Sequence, residues 1–364
     1  MRLRGVAETL EDAGVTDLPD EPTARAALDS FTGIRWRPLE RDDLRAVADF
    51  YRECETHDAN PERTALSDLE EYWDSERSVP EEDTLVAWDD DGAVVAVAWS
   101  GCNRAVTERR GVHLGGAVHP QHRGRGIGRA VLRWQIAHAV AWDRRTRTAG
   151  FGPLVVRLAA PSDQADVRDL AARHGMPTER YFFEMSRPLT GLTGLSDVPS
   201  PTGIRLTGWA PERSAEVHHL LNVAFRDHWG HVDSTPQMWQ EQTGSSAFRP
   251  GWSVLAVDEA SDEVVGAALN TAYEQDWEPQ GFTEGYTDML GVARDHRGRG
   301  IASALLLASM HRFREAGLEA AGLGVDSDNP SGALRLYEGL GYRRTASTVV
   351  HQLAVDDARG PGEG

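Results

Sequence analysis

The residues whose types and spacing suggest chemistry are His296-Arg-Gly-Arg-Gly-Ile-Ala302, which lie between an apolar run and a helix-like run. The first N–H groups of a helix lack partners inside the helix, and the helix dipole adds partial positive charge there. Gly298 and Gly300 allow the main chain to approach an anion closely. The stretch therefore predicts a phosphate or pyrophosphate site, at which Arg297 and Arg299 are expected to be additional donors.

The same pattern occurs upstream as His122-Arg-Gly-Arg-Gly-Ile-Gly128, again between an apolar run and a helix-like run. Gly298 lies 174 positions after Gly124. Thr32-Gly-Ile-Arg35 recurs as Thr202-Gly-Ile-Arg205, 170 positions later. Landmarks that recur in order at a nearly constant offset indicate an internal duplication of about half the chain.

Composition restricts the class of protein. A chain of 364 residues predicts two domains, since single cores rarely exceed about 250–300 residues. The net charge of −19 argues against a nucleic-acid partner, and because all 38 basic residues are arginine, lysine Schiff-base chemistry is excluded. We find no membrane-spanning run and no signal region, so a cytoplasmic location without a membrane partner is expected. Cys54 and Cys102 are expected to be reduced and structural, and no metal site is predicted.

The order of predicted elements is the same in both halves. In the second half we predict strands over 204–206, 284–292, 320–325 and 343–353, a hairpin over 253–272, and helices over 213–225, 235–242, 303–317 and 330–340. Each half is thus an α/β (α+β) unit, with a mostly antiparallel sheet and flanking helices. The chain divides into an N-terminal extension (1–31), a first domain (32–188), a linker rich in Pro, Gly, Ser and Thr (189–203), a second domain (204–355) and a tail (356–364).

These residues resemble the motifs of the Gcn5-related N-acetyltransferases (GNAT). Arg297-Gly-Arg-Gly-Ile-Ala302 is similar to the pyrophosphate-binding motif of the family, which is Arg/Gln-x-x-Gly-x-Gly/Ala after a strand, and Arg123 to Gly128 is its first-half copy. Asp328-Asn-Pro330, followed by Leu336-Tyr337 and Leu340-Gly-Tyr342, resembles the second motif of the family. The resemblance covers residues 34 to 353 and implies two GNAT-like domains in tandem, a layout similar to that of mycothiol synthases.

The resemblance implies that acetyl-CoA is the cosubstrate and lies between two splayed strands. Its contacts would come from Leu290, Gly291, Val292, Arg297, Gly298, Arg299, Gly300, Ile301, Ala302 and Asn329 in the second half, and from Val118, Arg123, Gly124, Gly126 and Gly128 in the first. The acetyl group then passes directly to an amine. That amine must be neutral, and the leaving thiolate must gain a proton.

The two halves differ at the position of the expected acid. The family often uses a tyrosine to protonate the departing thiolate, and Tyr337, four residues before Gly341, matches that tyrosine. The first half has Ala171 there, and Asp163 where the second half has Asn329. We therefore expect catalysis in the second domain. The first domain would be structural, or would hold a second CoA without turnover.

The general base is left open between two carboxylates. Relatives often carry a glutamate at the position of Tyr286, and Glu284 and Asp288 flank that position by two residues. All three would share one strand face if no bulge intervenes. Either carboxylate would take up a proton through a water molecule. This departure weighs against a mycothiol synthase.

The acceptor pocket is expected near the end of the first helix of the second half. Asp227, His228 and Trp229 lie in the region that borders this pocket in the family, and Tyr286 is the fourth predicted substrate residue. The implied activity is acetyl transfer to a primary amine of a small molecule, by a monomer or a homodimer. The alternatives are acetylation of a cysteinyl amine, as in mycothiol synthases, and a non-catalytic acyl-CoA-binding or sensing protein.

Overall fold

The computed structural model describes residues 19–75, 78–104, 110–189, 201–226, 228–328 and 332–355. The chain forms two compact units. Unit 1 comprises Met1–Arg180 and Thr348–Gly364, and unit 2 comprises Tyr181–Ser347. The boundaries of these units differ from the expected ranges 32–188 and 204–355, because most of the last strand of each range belongs to the unit formed mainly by the other range.

The strands are β1 (Ile34–Arg37), β2 (Thr84–Asp89), β3 (Val94–Cys102), β4 (Arg110–Val118), β5 (Leu154–Pro161), β6 (Thr178–Pro188), β7 (Ile204–Gly208), β8 (Val254–Asp258), β9 (Val264–Thr271), β10 (Glu284–Val292), β11 (Ala320–Asp326) and β12 (Arg343–Val355). The helices are α1 (Glu21–Asp29), α2 (Leu44–His57), α3 (Leu66–Asp74), α4 (Pro80–Asp83), α5 (Ile127–Thr146), α6 (Ala165–Arg173), α7 (Ser214–Phe225), α8 (Pro236–Gly244), α9 (Glu274–Gln280), α10 (Ile301–Glu315) and α11 (Ala333–Gly339).

The sheet of unit 1 has the order β1-β2-β3-β4-β5 and is completed by β12. Its strands are antiparallel except for the parallel pair β4 and β5. β12 runs antiparallel to β5, from the pair Thr348↔Pro161 to the pair Val355↔Leu154. The strand that ends the second half of the sequence therefore completes the sheet of unit 1.

The sheet of unit 2 has the order β7-β8-β9-β10-β11 and is completed by β6. Here too the fourth and fifth strands, β10 and β11, form the parallel pair. β6 runs antiparallel to β11, from the pair Ala320↔Pro188 to the pair Asp326↔Phe182. Both units are mixed, mostly antiparallel sheets with helices, as the fold class predicted.

Two short helices extend what the sequence indicated. The N-terminal extension contains α1, whose Ala24 and Leu28 are buried in one cluster with Trp134 of α5. Asp20 caps this helix, since its carboxylate accepts a hydrogen bond from the N–H of Thr23 at 2.8 Å. α9 was not predicted, because Pro279 lies inside it. Within the described ranges, no helix has both the length and the apolar character of a membrane span.

Candidate active site

The glycine turn before α10 has the geometry of an anion site. Gly298 and Gly300 have φ values of +75° and +80°, in the left-handed region that favours glycine, and α10 begins at Ile301. In the described part of the chain, none of the N–H groups from Gly298 to Ala302 donates a main-chain hydrogen bond. The turn therefore presents consecutive free donors at a helix N-terminus.

The arginine side chains of this turn differ from the expectation. The Arg297 guanidinium donates to the carbonyl oxygens of Val292 at 3.2 Å and of Ala224 at 2.9 Å. Arg299 donates to the carbonyl oxygen of Thr202 at 3.0 Å. Both guanidinium groups satisfy main-chain acceptors of the fold itself. Arg297 thus fixes the turn to β10 and α7, and the free donors at the anion site are main-chain N–H groups.

The strands that precede and follow this turn separate next to it. The pairing of β10 with β11 ends at Thr287↔Leu323, and β10 has a bulge between Thr287 and Met289. Beyond the bulge, Leu290, Gly291 and Val292 line a cavity of about 320 Å³ together with the glycine turn and α11. The expected splayed strands and the predicted pyrophosphate turn therefore form one cavity.

Tyr337 of α11 lines the same cavity and is buried, with 8% of its surface exposed. Burial raises the pKa of its hydroxyl to about 12. Among the described residues, its hydroxyl has no hydrogen-bond partner, and its ring packs on Tyr342 with centroids 6.1 Å apart. The phenol is thus protonated at neutral pH and can donate a proton. Asn329, the other expected contact of this region, lies outside the described residues.

Two of the predicted acceptor residues, His228 and Trp229, contact different elements of unit 2. His228 lines the cavity of Tyr337, and its ring centroid lies 4.6 Å from that of Phe225. Trp229 instead contacts Phe182 of β6, at 6.3 Å between ring centroids. Asp227 lies outside the described residues.

A cluster of acidic and aromatic side chains begins at the start of β10. The Ser186 hydroxyl donates to Oε1 of Glu284 at 2.5 Å, and the Tyr286 hydroxyl donates to Oε2 of Glu184 at 2.8 Å. We call Glu184, Ser186, Glu284 and Tyr286 the β6–β10 cluster. Desolvation, opposed by the Ser186 bond and reinforced by the charge of Glu184, raises the pKa of Glu284 to about 7. A carboxyl with that pKa is suited to take up a proton at neutral pH.

The bulge alters the expected arrangement of the three side chains on β10. It lies between Thr287 and Met289, so the strict alternation that placed Glu284, Tyr286 and Asp288 on one face does not hold past Thr287. Asp288 is exposed at the bulge and accepts a hydrogen bond from Gln242 of α8 at 3.0 Å. Partial desolvation raises the pKa of its carboxyl, against the bond from Gln242.

Sequence reasoning missed Glu184 and Ser186, because they precede the linker and were expected to belong to the first domain. Their place in unit 2 depends on the pairing of β6 with β11, which no local pattern reveals. Gly322 and Gly324 on β11 were the available signal. Glycine is unfavourable inside a strand and often marks a place where another group approaches closely.

Unit 1 repeats the anion turn. Gly124 and Gly126 have φ values of +74° and +87°, and the turn borders a cavity of about 660 Å³ that Val118 and Gly128 also line. The Arg123 guanidinium is bound by Asp58 at 2.5 and 2.8 Å and by the Val118 carbonyl oxygen at 2.9 Å. As in unit 2, the arginine fixes the turn and leaves the anion site to main-chain donors.

Unit 1 lacks the side chains of the β6–β10 cluster. The strand pairings make Gly111 and His113 the counterparts of Glu284 and Tyr286. The counterpart of Tyr337, Ala171, is fully buried in the core. Both units thus contain the anion turn, whereas the side chains of the β6–β10 cluster occur only in unit 2 among the described residues.

One group in unit 1 has the residue types of a metal site. Side-chain atoms of Asp83, Cys102 and His138 lie within 4.8 Å of one another, and all three residues are buried. Arg104 binds Asp83 at 2.5 Å, while His138 contacts Glu21 at 2.5 Å and Asp83 at 3.1 Å. Burial lowers the pKa of His138, and the bonds to Asp83 and Glu21 outweigh this and raise it. These bonds occupy the potential ligand atoms of Asp83 and His138, which favours a structural charge network.

Comparison with known proteins bears on both units. The sequence model of the acetyltransferase (GNAT) family matches residues 44–150 and 214–342. The chain belongs to this GNAT family. The members of this family are acyltransferases. Each of the two matched regions contains one of the two glycine turns. The tandem arrangement expected from the duplication is thereby confirmed.

Similar GNAT proteins include mycothiol acetyltransferases. The chain is 34% identical over 236 residues to that of Thermobispora bispora, which covers 65% of this chain and 74% of the relative. It is also 34% identical over 236 residues to that of Thermomonospora curvata, covering 65% and 71%.

Solved structures share the fold. A GCN5-related N-acetyltransferase from Sphaerobacter thermophilus matches with a TM-score of 0.69 and 24% identity, over 89% of this chain and 96% of that one. A tandem GNAT protein from the clavulanic acid biosynthesis pathway matches with a TM-score of 0.64 and 18% identity, over 90% and 100% of the two chains.

Proposed function

We propose that this GNAT protein transfers an acetyl group from acetyl-CoA directly to a primary amine of a small molecule, and that unit 2 is catalytic. One observation carries the proposal. A single cavity in unit 2 combines the N–H groups after Arg297, the open edge of β10 and the hydroxyl of Tyr337, and none of these donors has a partner among the described residues. A diphosphate acceptor, a strand-like arm and a leaving group that needs a proton are complementary to these three features.

The residues present fit acetyl-CoA, which supplies the activated acyl carbon. The N–H groups from Gly298 to Ala302 would bind its pyrophosphate, and the main chain of Leu290, Gly291 and Val292 would bind its pantetheine arm. Arg297 positions the turn through its bonds to β10 and α7.

The proton transfers are assigned to two residues. Glu284, whose pKa of about 7 leaves a large fraction ionised at neutral pH, accepts one proton from the acceptor ammonium. The neutral nitrogen then forms a bond to the acyl carbon, and the carbon–sulfur bond breaks. Tyr337 donates its hydroxyl proton to the departing thiolate and recovers a proton from the nitrogen through solvent. Asp288 is exposed and lies at the bulge, so we assign it to acceptor binding with Tyr286, His228 and Trp229.

We also propose that unit 1 holds a second CoA without turning it over. Its cavity of about 660 Å³ contains the same turn, with Gly124 and Gly126 at positive φ. Ala171 offers no proton to a leaving thiolate. The proposed role of unit 1 is therefore binding alone.

A cysteinyl amine is a second candidate acceptor. The observation that favours it is the 34% identity to proteins named mycothiol acetyltransferases. Such relatives often carry a glutamate at the position of Tyr286. This difference weighs against a cysteinyl amine as the acceptor.

The test is a panel of primary amines, including polyamines, amino sugars, aminoglycosides and a cysteinyl amine, assayed with acetyl-CoA for release of free thiol. We expect at least one amine to be acetylated by the full chain, and Tyr337→Phe to lower kcat by about 100-fold or more. Tyr342→Phe is the matched control, because the Tyr342 hydroxyl is buried without a partner in the same cluster. Binding of acetyl-CoA without acetylation of any amine would instead support a sensing protein.

A further inference from the structure

Strand β11 has two glycines on one of its faces, and each leaves a gap where a side chain would otherwise lie. Ala321, Leu323 and Val325 pack in the core below α10 and α11, so Gly322 and Gly324 lie on the opposite face. A Cβ atom at Gly322 would lie 2.5 Å from Cδ of Glu284. The two glycines therefore leave room that side chains from the neighbouring strands occupy.

A second gap is formed at Gly324, where two side chains meet. A Cβ atom there would lie 2.8 Å from the hydroxyl oxygen of Tyr286 and 3.4 Å from Oε1 of Glu184. β10 and β6 flank β11 on opposite sides, so Tyr286 reaches Glu184 across a complete strand. Any larger residue at position 324 would occupy this path.

We propose that Glu184 and Ser186, which β6 contributes from before the linker, are positioning residues of the acceptor site and act through Tyr286 and Glu284. The inference rests on the proposed function, in which Glu284 accepts the ammonium proton. Ser186 orients the Glu284 carboxylate by the bond at 2.5 Å. Glu184 fixes the Tyr286 ring and places a second negative charge beside Glu284.

The electrostatics give the two residues opposite effects on Glu284. The charged groups that act on its carboxyl are Glu184 on β6 and Asp276 on α9, and both raise its pKa. The Ser186 bond lowers that pKa, because it stabilises the ionised form. Glu284 is in turn among the groups that raise the pKa of Tyr342. Loss of Glu184 and loss of Ser186 must therefore move the titration of Glu284 in opposite directions.

Unit 1 shows the same strands without the gaps. The pairings place Arg157 and Ala159 where β11 has Gly322 and Gly324, and Gln352 and Val350 where β6 has Ser186 and Glu184. Arg157 donates to the Gln352 side chain at 3.0 Å. These two side chains occupy the space that Gly322 leaves open in unit 2. Among the described residues, the contact of side chains across the fifth strand, β11, thus occurs only in the unit that carries Tyr337.

The test compares Glu184→Gln with Ser186→Ala in the full chain. We measure the pH midpoint of the acid limb of kcat/KM, and independently the titration of Glu284 by ¹³C NMR of its carboxyl carbon. Glu184→Gln is expected to lower the midpoint by about half a pH unit or more, and Ser186→Ala to raise it. Midpoints that stay unchanged, or that move in the same direction, would overturn the inference.

Two glycine variants separate this role from folding. Gly324→Ala is expected to lower kcat/KM by about tenfold or more, because the added methyl group displaces Tyr286 or Glu184, with acetyl-CoA affinity unchanged. Gly251→Ala, which adds a methyl group into open space, is the control. If no amine is acetylated by the unmodified chain, the proposed function fails, whereas the NMR titration still decides whether Glu184 and Ser186 act on Glu284.

Discussion

Tyr286 donates a hydrogen bond of 2.8 Å to Glu184, a residue 102 positions away in the sequence, across the strand that contains Gly324. The bond joins the central strand of the proposed active site to a strand that precedes the linker. Through this bond the carboxylate of Glu184 is held near Glu284, and no side chain of β11 takes part in the contact. Side chains from both repeats of the sequence therefore affect the pKa of Glu284.

The pH dependence of activity follows from the pKa of Glu284. With a pKa of about 7, the carboxylate is the form that accepts a proton, so kcat/KM is expected to fall below pH 7. Glu284→Gln should lower kcat/KM by about 100-fold and remove this limb. Asp288→Asn is the control that separates the two carboxylates of β10. If Asp288→Asn removes the limb instead, Asp288 is the base.

The same raised pKa predicts a change in stability with pH. Glu284 has a folded-state pKa of about 7 against an ordinary value of 4.5, so its favourable contribution is present below pH 4.5 and is lost as pH rises through 7. Glu284→Gln should therefore raise the free energy of unfolding at pH 8 by an amount on the order of 2 kcal/mol, and by much less at pH 4. Urea denaturation at the two pH values measures the difference, and an equal effect at both would contradict the assignment.

The two anion turns are separable by substitution of one glycine in each. Gly300→Ala forces an L-residue to a φ of +80° and should weaken acetyl-CoA binding to unit 2 by about tenfold, a cost of about 1.4 kcal/mol. Gly126→Ala, at a φ of +87°, should weaken the binding event of unit 1 instead. Isothermal titration calorimetry resolves the two events. A single binding event that Gly126→Ala leaves unchanged would show that unit 1 does not hold CoA.

A buried ion pair holds α5 against β4 in unit 1. Arg110 and Asp143 are both buried and hydrogen-bonded, and the guanidinium lies 3.9 Å from the centroid of the Trp142 ring. Asp143→Ala leaves the Arg110 charge buried without this partner and should reduce the free energy of unfolding by about 3–5 kcal/mol. The exposed pair Arg41–Asp74 is the control, for which Asp74→Ala should leave the free energy of unfolding nearly unchanged. Chemical denaturation measures both, and equal losses would contradict the role of burial.

Local patterns predicted the parts of this fold that depend on neighbouring residues. The glycine turns, the strands before them and the helices after them were predicted correctly, because hydrophobic period and glycine placement encode such elements directly. The duplication made the prediction stronger, since each half repeats the signal. The free N–H groups after Arg297 follow from the same local geometry.

The remaining features depend on groups far apart in the sequence. The bulge after Thr287 changes which side chains share a face, and its position follows from pairing with β9. The Arg297 side chain was expected to bind an anion, yet the carbonyl oxygen of Ala224, on another helix, accepts its hydrogen bond. The place of Glu184 in the site follows only from the pairing of β6 with β11. None of these contacts leaves a periodic trace in the chain.

Each unit contains a strand segment from the other repeat of the sequence, since Tyr181–Pro188 belongs to unit 2 and Thr348–Val355 to unit 1. Deletion of either repeat would remove a strand, β6 or β12, from the sheet of the remaining unit. The main chain of its neighbouring strand would then be unpaired. If unit 2 is catalytic, as we propose, selection on its activity would also preserve the repeat that supplies β6. Recombination at the linker would separate each repeat from a strand that pairs within its sheet.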